Sequence, residues 1–330
     1  MKKTFLYFCL LFIVQTAFAA DSLYVREQQI PILIDRIDNV LYEMRIPAQK
    51  GDVLNEITIQ IGDNVDLSDI QAIRLFYSGV EAPSRKGEHF SPVTYISSHI
   101  PGNTRKALES YSVRQDEVTA PLSRTVKLTS KQPMLKGINY FWVSIQMKPE
   151  TSLLAKVATT MPNAQINNKP IDITWKGKVD ERHVGIGVRQ AGDDGSAAFR
   201  IPGLVTTNNG TLLGVYDIRY NSSVDLQEKI DIGVSRSTDK GQTWEPMRVA
   251  MTFKQTDGLP HGQNGVGDPS ILVDEKTNTI WVVAAWTHGM GNERAWWNSM
   301  PGMTPDETAQ LMLVKSEDDG KTVSYTHLTL

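Results

Sequence analysis

Arginine and aspartate residues lie close together where two predicted strands begin or end. Arg200 precedes a short apolar run, and Arg219 follows the next run with Asp217 and Asp225 on either side of it. The planar guanidinium of arginine matches a carboxylate with two parallel hydrogen bonds. A carboxyl group held in a loop is suited to proton transfer. Together these residue types can bind an anion and move a proton.

The overall charge of the chain makes local arginines necessary for any anion site. With 34 Lys and Arg residues against 37 Asp and Glu, the formal net charge is -3. This balance gives no global attraction to nucleic acid or to anionic lipid. Hydrophobic residues at 40% and charged residues at 22% are typical of a soluble globular protein. We therefore expect no nucleic-acid partner and no membrane span.

Residues 1–19 have the pattern of a secretory signal peptide. Two lysines precede an apolar run, and the segment ends in Ala17-Phe18-Ala19, which fits signal peptidase. We expect a secreted or periplasmic protein after cleavage. The single cysteine, Cys9, lies inside this segment, so the mature chain would have no disulfide and no Cys nucleophile.

Residues 20–183 read as short strands separated by polar turns. Ile57, Ile59 and Ile61 alternate with polar residues, and the run 141–148 alternates in the same way, which is the period of a strand with one buried face. An all-β, jelly-roll-like sandwich is the economical prediction. The residues leave open whether this domain binds carbohydrate or braces its neighbour.

A glycine-rich stretch, 184–195, joins this domain to a second pattern. It lacks the lysine of a phosphate-binding loop, and a strand follows it. Runs at 201–205 and 212–216 then form a hairpin around Asn208-Asn209-Gly210. Strands at 230–234 and 244–250 complete one four-stranded propeller blade, and the pattern restarts at Ile271.

A turn motif occurs twice in this second part. Its pattern is Ser-x-Asp-x-Gly-x-Thr-Trp, and its members are Ser237, Asp239, Gly241, Thr243 and Trp244, then Ser316, Asp318, Gly320 and Thr322. The aspartate accepts hydrogen bonds from the turn, glycine takes the left-handed conformation and tryptophan packs between sheets. A calcium loop is the rival interpretation, but a terminal bidentate Glu is missing. We predict an architectural motif without metal or catalysis.

Phe199-Arg200-Ile201-Pro202 followed by this Asp-box motif resembles the bacterial sialidase (neuraminidase) family, over residues 200–322. The preceding domain resembles the N-terminal domain of Bacteroides-type sialidases. The resemblance implies a six-bladed β-propeller and a retaining exo-α-sialidase that uses no cofactor or metal. Its expected partners are sialylated glycoproteins, glycolipids and oligosaccharides. A glycan-binding propeller without catalysis and a trans-sialidase remain alternatives.

The resemblance also implies roles for individual residues. Arg200 would bind the substrate carboxylate, Arg219 would contact ring hydroxyls, and Asp225 would be the acid/base. Asp217 competes for the acid role, but its place directly after a strand favours bracing of Arg219. Asp268, in Gly267-Asp268-Pro269-Ser270, would hydrogen-bond the glycan. This segment would open the second blade at the position of Arg200 in the first. The aromatic residues of an acyl pocket would be Trp286, Trp296 and Trp297, with burial in the core as the alternative.

The segment 184–322 should contain about three blades, at roughly 40 to 50 residues per blade. In the family, the nucleophilic tyrosine, its glutamate and two further arginines follow in later blades, so we expect this chain of 330 residues to be inactive. The second motif has Val323 where Trp is expected, and residues 323–330 show no strand pattern. We predict a non-native tail there, an open apolar blade face and a sandwich that folds on its own.

Overall fold

The computed structural model describes residues 22–27, 29–80, 112–176, 180–289 and 294–326. The predicted signal segment 1–19 and residues 327–330 lie outside this range. The described secondary structure is nearly all β, which confirms the predicted fold class. In the described part of the chain, no helix is long and apolar enough to cross a membrane.

The first half of the chain forms a sandwich of two main sheets. Its strands are β1 (Ser22–Glu27), β2 (Ile32–Leu33), β3 (Asn39–Ala48), β4 (Leu54–Ile61), β5 (Ile70–Val80), β6 (Val113–Thr119), β7 (Thr125–Thr129), β8 (Gly137–Met147), β9 (Lys156–Val157), β10 (Thr159–Ile166), β11 (Lys169–Pro170), β12 (Asp172–Lys176) and β13 (Arg182–Gly185). One sheet has the order β12-β1-β3-β8-β5-β6 and the other β11-β10-β4-β7. A 3-10 helix, Leu67–Asp69, precedes β5.

The apolar alternation that predicted these strands marks the core between the sheets. Ile57, Ile59 and Ile61 of β4 are all fully buried and belong to one hydrophobic cluster with Phe141 of β8. The prediction of one buried face fails for β8, because Trp142 on its other face is buried as well. Contacts on that face account for the burial, since Trp142 stacks on Phe76 of β5 with ring centroids 3.9 Å apart and its Nε1 donates to the Ser112 hydroxyl at 3.4 Å.

The glycine-rich stretch does join the two halves, but it begins inside a strand. β13 pairs with β2 in parallel and with β9 in antiparallel, which attaches the predicted boundary at 183/184 to the sandwich. A 3-10 helix, Asp193–Gly195, follows before the first blade. Arg36 and Gln190 are hydrogen-bonded at 3.1 Å across this join.

The second half of the chain forms two four-stranded antiparallel sheets. The first contains β14 (Ala198–Thr206), β15 (Leu212–Arg219), β16 (Ile230–Ser237) and β17 (Arg248–Met251), and the second contains β18 (Val266–Asp274), β19 (Thr279–Trp286), β20 (Gln310–Ser316) and β21 (Ser324–Thr326). A 3-10 helix, His261–Gln263, lies between the sheets, and a single-turn helix α1 (Ala295–Asn298) lies between β19 and β20. Val215, Ile232 and Val282 belong to a hydrophobic cluster shared by the two sheets.

Two predictions about this half were wrong. The described residues form two blades and not three. The long connection between β19 and β20 makes the second blade longer than average, and the join 186–197 contributes no strand to a blade. Residues 323–330 were expected to lack a strand, yet β21 pairs with β20 and Val323 packs against the shared cluster. On the face of the second blade that points away from the first, Leu272 and Leu311 are 55% and 50% exposed.

The Asp-box motifs form the β16–β17 and β20–β21 turns, as predicted. Asp239 Oδ1 accepts hydrogen bonds from the Thr243 amide at 2.9 Å and from the Ser237 hydroxyl at 2.8 Å. Asp318 repeats this pattern with Thr322 and Ser316 at the same distances. The glycine of each motif has a left-handed backbone, with φ of 85° at Gly241. The aspartates are thus committed to the turns.

Candidate active site

The two blades bring the predicted site residues to one end of the sheets. Arg200, near the start of β14, pairs in register with Asp217 of β15, and Arg219 is the last residue of β15. The loop 220–229 leaves the sheet at this end and contains Asp225. Antiparallel pairing therefore places both arginines beside this loop.

The innermost strand of each blade has a break in register directly before a proline. In β14 the break lies between Arg200 and Gly203, with Ile201 at a φ of 53°. The equivalent residue in β18 is Asp268, at a φ of 57°. A positive φ is unusual for a β-branched residue and for a residue before proline. By this register Gly267 occupies the position of Arg200, so the segment 267–270 opens the second blade where Arg200 opens the first, as predicted.

Asp225 accepts hydrogen bonds from both arginines. Its Oδ1 lies 2.9 Å from Nη1 of Arg200 and 2.5 Å from Nη1 of Arg219. The Ser223 carbonyl accepts from the same two nitrogens, at 3.0 and 2.9 Å. The side chains of Arg200 and Asp225 are 43% and 42% exposed. The hydrogen bond from Arg219 lowers the pKa of Asp225, and the charges of Arg200 and Arg294 act in the same direction.

Asp217 and Arg219 form a buried ion pair behind this exposed pair. Both side chains are 1% exposed, and Asp217 Oδ2 lies 3.0 Å from Nε and 2.7 Å from Nη2 of Arg219. The expected bracing of Arg219 by Asp217 is therefore present. Burial raises the pKa of Asp217 to about 6, although the hydrogen bond and charge of Arg219 oppose the rise. The predicted contact of Arg219 with sugar hydroxyls stays a prediction.

A buried hydrogen-bond network holds the loop 220–229 against the second blade. Gln227, 3% exposed, donates from Nε2 to the Thr287 carbonyl at 3.4 Å, and its Oε1 accepts from the Thr287 hydroxyl. Gly265 leaves room for this loop, because a Cβ there would lie 2.2 Å from the Glu228 carbonyl oxygen. These contacts connect the loop that carries Asp225 to the second blade.

Arg294 is a site residue that sequence reasoning missed. Its Nη1 donates to the Asp225 carbonyl at 3.1 Å, and the amide of Ala295, in α1, donates to the Leu226 carbonyl at 3.1 Å. The segment before Arg294 shows no apolar period, so no sequence signal linked it to the loop. The neighbouring Trp-Trp pair was the only pointer to this region.

The aromatic residues divide between core and surface. Trp286 is 7% exposed, belongs to the hydrophobic cluster and stacks on Phe253 with ring centroids 4.5 Å apart. Its prediction as a substrate-binding residue was wrong, because it is the last residue of β19 and points between the blades. Trp297, on α1, is 69% exposed. The side chain of Trp296 lies outside the described residues. Asp268 is exposed, as a ligand-binding carboxylate must be.

The described residues contain no group of three or more His, Cys, Asp or Glu side chains that could hold a metal ion. The groups that the cluster presents are arginines and carboxylates. An exposed guanidinium can bind a planar anion. The adjacent exposed carboxyl can donate a proton to the bound molecule or accept one from it.

Comparisons with known proteins find similarity to sialidases. Residues 20–170 match the family model described as the N-terminal domain of BNR-repeat neuraminidase. A sialidase of Bacteroides fragilis (strain YCH46) is 56% identical over 330 residues, which are 98% of this chain and 60% of that protein. A sialidase of Paraclostridium sordellii is 36% identical over 126 residues, 38% of this chain and 28% of that protein.

A solved structure, the Hadza microbial sialidase Hz136, shares 60% sequence identity with a TM-score of 0.77. The match covers 91% of this chain and 58% of that structure. The chain thus spans about three fifths of the length of the Bacteroides fragilis and Hz136 relatives.

Proposed function

We propose that the whole protein is a bacterial exo-α-sialidase, which hydrolyses terminal sialic acid from glycans. The observation that carries the proposal is the exposed pair of Arg200 and Asp225, with Nη1 and Oδ1 2.9 Å apart. A cation for the substrate carboxylate and a carboxyl for the glycosidic oxygen are the two groups that cleavage of a sialoside needs first.

In the proposed reaction the carboxylate of sialic acid binds Arg200. Asp225 then donates a proton to the oxygen of the departing sugar and later activates water. Retaining sialidases differ from the usual two-carboxylate scheme by using a tyrosine nucleophile. An anionic nucleophile would be repelled by a substrate that is already negative at the anomeric centre. The resemblance assigns this tyrosine and two more arginines to later blades of the whole protein.

Other residues of the cluster take supporting roles in the proposal. Asp268 is exposed in the second blade and would hydrogen-bond the glycan. Arg219 lies directly behind Asp225 and would contact ring hydroxyls when the sugar displaces part of that pair. Trp297 is exposed next to the loop that carries Asp225 and would face the acyl group.

We further propose that the substrates include glycoproteins, glycolipids and free oligosaccharides, and that the protein acts outside the cytoplasm. The second point depends on cleavage after residue 19, which N-terminal sequencing of the mature protein would test. A mature N terminus at Met1 would contradict it.

The direct test is incubation of the whole protein with sialyllactose, followed by NMR of the products. We expect free sialic acid, with the α-anomer appearing first, because the mechanism retains configuration. Binding of a sialic acid analogue without release would indicate a glycan-binding propeller. Transfer to added lactose in place of water would indicate a trans-sialidase.

A further inference from the structure

We propose that Asp217 is a positioning residue, which fixes the place of the acid/base carboxyl of Asp225 relative to Asp268 of the next blade. The inference rests on the proposed function and deepens it. Each blade supplies part of the site, and in this inference the buried carboxylate of Asp217 connects the two parts.

Both oxygens of Asp217 are used in this coupling. Oδ2 accepts from Nε and Nη2 of Arg219, at 3.0 and 2.7 Å. Oδ1 accepts from the backbone amide of Asp268 at 2.9 Å. Arg219 is thereby oriented so that its remaining terminal nitrogen, Nη1, donates to Asp225 Oδ1 at 2.5 Å. A continuous set of hydrogen bonds runs from Asp268 through Asp217 and Arg219 to Asp225.

The backbone around Asp268 shows why this amide needs a fixed acceptor. Asp268 has a φ of 57°, a conformation that non-glycine residues rarely adopt, and it precedes a proline. Such conformations persist where surrounding contacts hold them. A Cβ on the preceding Gly267 would lie 3.5 Å from Asp217 Oδ1 and 3.3 Å from Leu226. The second blade thus approaches the carboxylate closely at this point.

Burial makes the ion pair sensitive to removal of either partner. Asp217 and Arg219 are each 1% exposed, so water cannot replace a lost contact at little cost. If Asp217 loses its charge, Arg219 loses two of its charge-assisted hydrogen bonds and is free to reorient. Its hold on Asp225 then weakens, although Asp217 itself never contacts the substrate.

Asp231 offers a matched control in the same blade. It is 3% exposed and pairs in register with Ile218, on the face of the sheet opposite to Asp217. Its carboxylate accepts from the Tyr220 hydroxyl at 3.0 Å and lies 2.8 Å from Nε2 of His261. Replacing Asp231 removes a buried carboxylate without touching the hydrogen bonds from Asp268 to Asp225.

The test compares Asp217→Asn with Asp231→Asn in the whole protein on two substrates. Sialyllactose has a sugar leaving group that must be protonated, whereas an aryl sialoside releases a phenol that needs little help. For D217N we expect kcat/KM on sialyllactose to fall about 10- to 100-fold, which is part of the contribution of about 10² to 10⁴ that a positioned acid/base makes. The loss on the aryl sialoside should be several-fold smaller. D231N should lower kcat/KM equally on both substrates or leave it unchanged on both.

Several results would overturn the inference. These are wild-type activity of D217N, an equal loss on both substrates, or the same substrate preference in D231N. If D217N does not fold, Asp217→Glu replaces it, because the longer side chain keeps the charge but displaces the carboxylate from Arg219 and from the Asp268 amide, and the same selective loss is expected. A wild-type protein that cleaves neither substrate would instead refute the proposed function.

Discussion

The charge state of Asp225 is the residue-scale property on which the proposed reaction depends. Arg219 and Arg200 both hydrogen-bond its Oδ1, and the resulting pKa is below the ordinary value for aspartate. A general acid must carry a proton when the bond breaks. A substrate carboxylate that binds Arg200 would draw that guanidinium away and add a negative charge, and both effects favour protonation of Asp225.

Replacing Arg200 should therefore change the titration of Asp225. Arg200→Gln keeps the aliphatic part of the side chain up to Cδ and removes the positive charge 2.9 Å from the carboxylate. We expect the pKa of Asp225 to rise towards its ordinary value, because loss of a neighbouring cation disfavours the charged form. The measurement is carboxyl ¹³C NMR of the purified chain as a function of pH.

Arg248→Gln is the control for that titration. Arg248 begins β17 at the other end of the first blade, and its guanidinium donates to the Gly320 carbonyl. The R248Q substitution should leave the pKa of Asp225 unchanged. An unchanged pKa in R200Q, or an equal change in R248Q, would contradict a direct effect of Arg200.

At the residue scale, sequence reasoning located Arg200, Arg219 and Asp225 because the motif and the strand end fix their places. It missed Arg294, whose contact with the Asp225 backbone comes from a connection without apolar period. It misassigned Trp286, because strand alternation does not say which face packs against the neighbouring blade. Contacts between elements distant in sequence are set by packing that local patterns do not encode.

At the element scale, the second Asp-box turn also fastens the two blades together. Asp319 accepts hydrogen bonds from the hydroxyls of Thr207 and Thr211, both at 2.6 Å, and from Nη2 of Arg236 at 2.8 Å. Burial opposes its charge, but these hydrogen bonds lower its pKa to about 2. The same position of the first motif is Lys240, which is exposed.

Asp319→Ala should destabilise the blade pair by about 1 to 3 kcal/mol, because Nη2 of Arg236 and the hydroxyls of Thr207 and Thr211 lose the carboxylate that accepts from them. Lys240→Ala, the matched control, should stay within about 0.5 kcal/mol. Chemical denaturation followed by tryptophan fluorescence measures both. Equal stability of the two variants would contradict the fastening role.

The same carboxylate predicts a dependence of stability on pH. The pKa of Asp319 is lower in the folded chain than the ordinary 3.8, so its contribution is present above about pH 4 and is lost as pH falls towards 2. D319N should remove this part of the acid sensitivity.

The hairpin of β14 and β15 and both Asp-box turns could be predicted at this scale, because turn residues fix local geometry. The register breaks at Ile201 and Asp268 could not, since each proline reads as an ordinary interruption of alternation. Only the pairing of the strands shows that a left-handed residue lies before each proline.

At the scale of the whole molecule, the described residues form two separate hydrophobic clusters. One fills the sandwich and includes Leu41 and Phe141, and the other lies between the two blades and includes Val215 and Val282. The all-β class followed from strand periodicity. The number of blades did not, because a count from average blade length cannot anticipate the long connection that carries Arg294 and Trp297. That connection is also what brings α1 to the site.

The measurement that tests the central claim most directly is the activity of Asp225→Ala in the whole protein on two leaving groups. On sialyllactose we expect turnover to fall by about 10² to 10⁴, the usual contribution of a positioned acid/base. On an aryl sialoside the fall should be far smaller, and a sialic acid analogue should still bind. Unchanged turnover of sialyllactose, or the same loss on both substrates, would contradict the assignment of Asp225 as the proton donor. Selective loss in Asp217→Ala alone would transfer that role to Asp217.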